Sequence, residues 1–205
     1  MIATGGIPDM SILAAGQELA TASWDILSGA VTPARSVIVI DNNGSHPGMT
    51  IAEYVAEQAE EMELVTPDRT LAPDIGSTNF PAYGRALNAP NVTVKLNLQV
   101  DRLERRGNKI AAVFHDEYRK QEVVKEADQV IVEYGTQPVD ELYFTLKDNA
   151  VNLGEIEFKP FIAGREQTLV KNPEGKYRLF RIGDAVASRN IHAAILDAYR
   201  LMIGL

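Results

Sequence analysis

The 205 residues contain no cysteine. That removes disulfides, thiolate nucleophiles and every cysteine-ligated zinc or iron–sulfur site from this chain. Histidine is scarce. His46, His115 and His192 lie far apart and show no zinc-ligand spacing. Positive charge is the minority sign, with 20 Lys and Arg against 28 Asp and Glu and a net charge of −8. A general nucleic-acid grip needs clustered cations to displace counterions, so nucleic acid is not an expected partner. A single nucleotide is still compatible, because backbone amides at a helix N-terminus hold phosphate without net positive charge. No apolar run approaches the ~20 residues that span a bilayer. Nothing near Met1 has the basic-then-apolar layout of a signal peptide. No membrane association is expected, and a cytoplasmic protein is the default.

What is present suits a soluble core: 45% of residues are apolar, in a chain long enough for one large domain or two small ones. MIATGG reads as a strand ending in a glycine turn, and Pro8 blocks a helical continuation. A mixed segment to about Ala30, with Trp24-Asp25-Ile26-Leu27, suits a short helix or a crossover. SVIVID, from Ser36, is a continuous β-branched run of the kind buried on both faces of a parallel sheet. NNGSHPG is a loop. MTIAEYVAEQAEE then places Ile51, Tyr54, Val55 and Ala59 at helical spacing, and MELVTPD is a second buried strand. Together these make one βαβ unit.

PDIGSTNFPAYGRALNAP predicts a loop entering a helix, and NVTVKLNLQVDRLE alternates as a strand. RRGNKIAAVFHDEYRKQEVVKEA is a hairpin pattern turning at Gly107-Asn108. ADQVIVEYGTQPVDEL is a strand ending at a second glycine turn. Residues 150–175 are loop-rich. In YRLFRIGDAVASRNIHAAILDAYRLMIGL a short strand meets Gly183-Asp184, and a helix follows. One short echo occurs: ATGGIPD and EYGTQPVD each carry glycine, a polar turn and proline after an apolar strand.

The echo, the βαβ at SVIVID…MELVTPD and the closing RIGDAVASRNIHAAI resemble, in that order, two-dinucleotide-binding-domain flavoproteins of the disulfide-reductase type. More narrowly they resemble the C-terminal part of the trimethylamine dehydrogenase and 2,4-dienoyl-CoA reductase group of NADH:flavin oxidoreductases, kin to dimethylglycine and N-methylproline demethylases. The resemblance implies an α/β, Rossmann-like FAD/NAD(P)-binding fold, mostly parallel sheet with a β-hairpin or meander. It implies a partial outer FAD- or ADP-binding domain at residues 1–33 and 146–205, with an inner NAD(P)-binding domain at 34–145. The barrel with its FMN and iron–sulfur cluster, and the first outer βαβ, have no counterpart here. The chain is therefore expected to be a fragment, inactive by itself. Its implied partners are the dinucleotide, the missing flavin barrel of the same polypeptide and, as one option, further copies of the chain.

A dinucleotide loop uses G-x-G-x-x-G for a tight turn, approach to pyrophosphate and close helix packing. In DNNGSHPG, Gly48 takes the third glycine's place. The first two positions are Asn43 and Ser45 if counted from the helix, or Asp41 and Asn43 if counted from the strand. Either way the phosphate-facing glycines are gone, and Asp41 adds a carboxylate that repels phosphate. The candidate NAD(P) contacts are Asn43, Gly44, Ser45 and Gly48, against a packing role for the same loop. Asp68, twenty residues past Gly48, is the candidate ribose acid. Arg69 beside it would suit a 2′-phosphate, and an exposed loop pair is the plainer alternative.

In the resembling flavoproteins a Gly-Asp after a short strand meets the ribityl and pyrophosphate part of FAD. Here that implies Gly183, Asp184 and Ala185, with Asn190 and His192 opening the next helix and its positive end. A plain N-cap is the alternative use of Asp184, and both can hold at once. Gly5, Gly6 and Gly135 would let backbone approach a cofactor, or simply supply turns. No catalytic residue and no metal site is expected. Two functions remain: part of a flavin oxidoreductase acting on an N-methylated amine or amino acid or an enoate, or a non-catalytic assembly module whose nucleotide loop has decayed.

Overall fold

A computed structural model describes residues 1–204. The first strand, β1 (Gly6–Pro8), is followed by β2 (Ala20–Ala22), helix α1 (Ser23–Leu27), β3 (Ser36–Asp41), α2 (His46–Ala56) and β4 (Glu61–Val65). Then come α3 (Phe80–Leu87), β5 (Val92–Lys95), and three longer strands, β6 (Leu98–Arg106), β7 (Lys109–Asp116) and β8 (Gln121–Ala127). The last elements are β9 (Gln129–Glu133), β10 (Thr136–Pro138), α4 (Glu141–Lys147), α5 (Phe158–Ile162) and α6 (Ile191–Ile203).

These elements form two compact units, residues 8–135 and residues 1–7 with 136–205. The expected divisions lay near residues 33 and 145. In the structure β2 joins the same sheet as β3, pairing in parallel with β9, so residues 20–22 lie in the same unit as residues 34–135. The glycine echo has a structural counterpart, since β1 and β10 pair as a two-stranded sheet.

The unit of residues 8–135 is built on a parallel sheet in the order β2-β9-β3-β4-β5. SVIVID makes its centre, as its β-branched run predicts. Val37 and Val39 point to a cluster with Ile51, Val55 and Met49 of α2, while Ile38 and Ile40 point to the opposite cluster. That second cluster is closed by Val100, Leu103, Ile110 and Phe114 of the antiparallel sheet β6-β7-β8. Each fully buried Ile or Val contributes about 1.5–3 kcal/mol relative to exposure, so both faces of β3 weigh heavily in stability. NVTVKLNLQVDRLE, expected as one strand, is two. Asn97 adopts a left-handed φ of 61°, and there the chain leaves the parallel sheet for the antiparallel one.

The unit of residues 1–7 and 136–205 has a much smaller core: Ile2, Tyr143, Ala150, Leu179 and Ala185. Polar bonds supplement it. The Asn152 amide donates to the carbonyls of Leu179 at 2.7 Å and Glu155 at 2.8 Å, and its oxygen accepts the Leu179 amide at 2.9 Å. Arg181 lies 4.3 Å over the Tyr143 ring and pairs with Asp140 at 2.7 Å.

Candidate functional site

Open α/β sheets place ligands outside the carboxyl ends of strands where strand order reverses. Here the reversal lies at β3, whose neighbours are β4 on one side and β9 on the other. Both strands at this point end in an acid. Asp41 ends β3, Glu133 ends β9, and the two are register partners. Continuous apolar strands carry these acids to the edge and bury them: Asp41 has no exposed surface and Glu133 is 4% exposed.

The Asp41 carboxylate turns back into its own loop. Its Oδ1 accepts the amides of Asn43 at 2.9 Å and Gly44 at 3.0 Å. Its Oδ2 has no hydrogen-bond partner among the described residues. Gly48, in the first turn of α2 beside Pro47, lies against this carboxyl so closely that a methyl group on it would run into the Cγ and both oxygens. Burial is the main cause that raises the Asp41 pKa, to about 6. The two amide bonds oppose the rise, and the charges of Glu133 and Asp68 add to it.

Glu133 is fully engaged. One oxygen accepts the Asn43 side-chain amide at 3.0 Å and the Gly135 amide at 2.9 Å, and the other accepts the Ser23 hydroxyl. Asp68 approaches the same loop from the end of β4, near enough that a Cβ on Gly44 would meet its Oδ2 at 2.8 Å. Gly44 has a φ of 66° and Gly135 of 82°, conformations in which glycine is at ease. Asn43, Gly44, Gly48 and Asp68 thus converge around Asp41, with Gly135 joined through Glu133. Ser45 sits at the N-cap of α2 without a side-chain cap. His46 lies outside this group, its Nδ1 3.1 Å from the Tyr83 hydroxyl.

The second group lies in the other unit. Gly183, Asp184 and Ala185 make a single 3-10 turn after an extended Ile182. Gly183 is buried with a φ of 61°, and a Cβ there would meet Ala194 of α6 at 3.2 Å. The Asp184 carboxylate accepts the Thr136 hydroxyl at 3.0 Å and the Arg189 amide at 3.3 Å. Asn190 caps α6, its side-chain oxygen accepting the Ala193 amide at 2.9 Å. His192 is exposed on the first turn of that helix. Gly5 has a φ of 75° and open space beside it, while a Cβ on Gly6 would meet Thr136 at 2.8 Å. Thr136 therefore ties β10 to the Gly183 turn. It was missed in the sequence, as were Glu133 and Ser23. The signal for Glu133 was there: QVIVE ends in an acid just as SVIVID does.

Over 202 residues the chain is 44% identical to a probable N-methylproline demethylase of Rhizobium meliloti (strain 1021), covering 98% of this chain and 30% of that protein. It is 35% identical to an N,N-dimethylglycine/sarcosine dehydrogenase of Chromohalobacter salexigens, again over 98% of this chain and 30% of that protein. Along nearly its whole length the chain resembles the C-terminal, FAD/NAD(P)-binding region of trimethylamine dehydrogenase-type NADH:flavin oxidoreductases. The fold agrees: thioredoxin reductase of Lactococcus lactis superposes with a TM-score of 0.66 at 17% identity, over 97% of this chain and 61% of that one. The chain spans about 30% of the length of the curated relatives it matches. No protein-family model matches it. Among the described residues no helix is long and apolar enough to cross a membrane, and no group of three acidic or histidine side chains is placed to hold a metal.

Proposed function

We propose that this chain is the dinucleotide-fold region of a flavin-dependent demethylase acting on an N-methylated amino acid or amine. The observation that carries this is the 44% identity to an N-methylproline demethylase, sustained along 98% of the chain. When bound, the flavin of such an enzyme would supply the two-electron oxidation that lets an N-methyl group leave as formaldehyde. None of that chemistry falls to the groups described here. This chain supplies position and electrostatics.

In this reading the unit of residues 1–7 and 136–205 belongs to the outer domain and receives FAD or ADP. Gly183 allows close backbone approach, Asp184 accepts a hydroxyl hydrogen bond, and the Asn190-capped start of α6 faces the phosphates. The unit of residues 8–135 is the inserted inner domain. The outer pocket is completed by parts of the polypeptide beyond these residues.

Formaldehyde release measures the reading directly. The flavin-loaded polypeptide that carries this chain is expected to release it from N-methylproline or dimethylglycine, and the 205 residues alone are expected to release none. A flavin-loaded preparation inert toward both compounds overturns the substrate class. For the cofactor, ADP or FAD near 100 times its dissociation constant should add about 2.7 kcal/mol and shift melting by a few degrees. Asp184→Ala should remove that shift.

A further inference from the structure

We infer that Asp41 occupies the seat of the dinucleotide phosphate, so that the inner unit is complete without NAD(P)(H) and excludes it. In dinucleotide folds the pyrophosphate rests on the amides of the first strand-to-helix loop and on the helix N-terminus, and small residues let it come close. The loop amides and the close-approach glycine of that cradle are present here and already engaged. The loop amides of Asn43 and Gly44 both point at Asp41 Oδ1. Gly48, which gives the close approach, is packed against the Asp41 carboxyl instead of a ligand. The carboxylate has no exposed surface, so no solvent-filled gap separates it from the helix start.

The surroundings repel a second anion. Glu133 stands beside Asp41 in register and is itself buried, with Asn43 and Gly135 drawn onto it. Asp68 reaches the loop at Gly44. A pyrophosphate would bring two further negative charges into a place holding three carboxylates and no lysine or arginine bonded to any of them in the described structure. Nor does the acidic group make a cation site, since no three of its ligands converge for a metal. The crevice is closed by its own strand end. This rests on the geometry of residues 8–135 alone and is independent of the demethylase reading.

The test is amide NMR of the full chain titrated with NADH, and separately with NADPH, to millimolar concentration. For the wild-type chain the amides of Asn43, Gly44 and Gly48 are expected to show no saturable shift. In Asp41→Gly, which vacates the seat and restores a glycine at the strand end, the same amides are expected to shift with at least a tenfold gain in affinity. Saturable shifts at these amides in the wild-type chain overturn the inference. So does a folded Asp41→Gly chain that gains nothing. If that variant does not fold, Asp41→Ser takes its place, and the wild-type arm decides independently of both.

Discussion

The two units solve the problem of cohesion differently. Residues 8–135 enclose two apolar clusters, one on each face of the parallel sheet, rich in Ile, Val and Leu with no exposed surface. Residues 1–7 and 136–204 share a cluster of five, and two of its members are alanines. Their large apolar side chains are mostly outside: Phe158 is 76% exposed, Ile191 71%, Tyr199 64% and Met202 64%. A unit with its apolar groups inside can stand by its own core. A unit with them outside depends on local polar bonds and presents a surface of the kind that other protein covers. The proposed division of labour follows the same line: the self-sufficient unit fills its own nucleotide cradle, and the open one offers a turn for a cofactor.

The largest expected effect is on the closed core. Phe114→Ala removes a ring with no exposed surface from the cluster between the two sheets and should cost about 3–5 kcal/mol in urea unfolding. Leu179→Ala, in the five-residue cluster, should cost clearly less. Equal losses would erase the contrast. Amide exchange sharpens it further. The strands β3, β4 and β9 should exchange only through the highest-energy openings, while α4 and α6 exchange through cheaper local ones.

The pH dependence of stability isolates the self-filled cradle. Asp41 keeps its proton up to about pH 6 when folded, against an ordinary value of 3.8. Between those pH values the unfolded chain releases the proton and the folded chain retains it, so stability falls as pH rises. Roughly two pKa units at 1.36 kcal/mol each give a loss of about 3 kcal/mol, complete above pH 6. Asp116 and Glu104, whose values are lowered by hydrogen bonds and arginine charge, act in the opposite sense. The informative quantity is therefore the difference between wild type and Asp41→Asn across pH 4–7. A constant difference would show that Asp41 does not titrate in this window.

A smaller effect is expected from Asn152→Ala in the open unit. It removes three hydrogen bonds around Leu179 and leaves that residue's buried amide and carbonyl without these partners, at a cost of about 1–3 kcal/mol. The loss should appear in exchange of residues 149–155 and 177–180 and leave β3 unchanged. Spread of the effect into β3 would mean that the units open together.

Legibility in the sequence divides along the same boundary. SVIVID, its following helix and MELVT were readable because a β-branched run and a 3.6-residue apolar period are local signals. The break at Asn97 was not, because alternation predicts a strand without saying which sheet receives it. The membership of residues 8–33 was not, because β2 is three residues long and is placed by its pairing with β9, a partner 110 residues away. At the candidate site the charge of Asp41 was legible and its consequence was only half so. Repulsion of phosphate follows from a carboxylate at the strand end. That the carboxylate folds back onto Asn43, Gly44 and Gly48 depends on how the loop turns at Gly44, and on Glu133 arriving from β9.

The smallest expected effect tests the open unit most selectively. Ile195 and Tyr199 lie one turn apart on α6 and are 61% and 64% exposed. Helical residues four apart share a face, so the pair forms a continuous apolar strip with Ile191 before it and Met202 after it. Exposed side chains contribute little to the folding of the unit that carries them, and Ile195→Gln with Tyr199→Gln should change the stability of this chain by no more than about 0.5 kcal/mol. If the strip is covered by the remainder of the polypeptide, the same two substitutions introduced there should cost several times more, because each then buries an amide in an apolar contact. A null result in both settings would leave α6 as an apolar helix that faces water in the longer polypeptide, and the contrast between the units would then lie in core size alone.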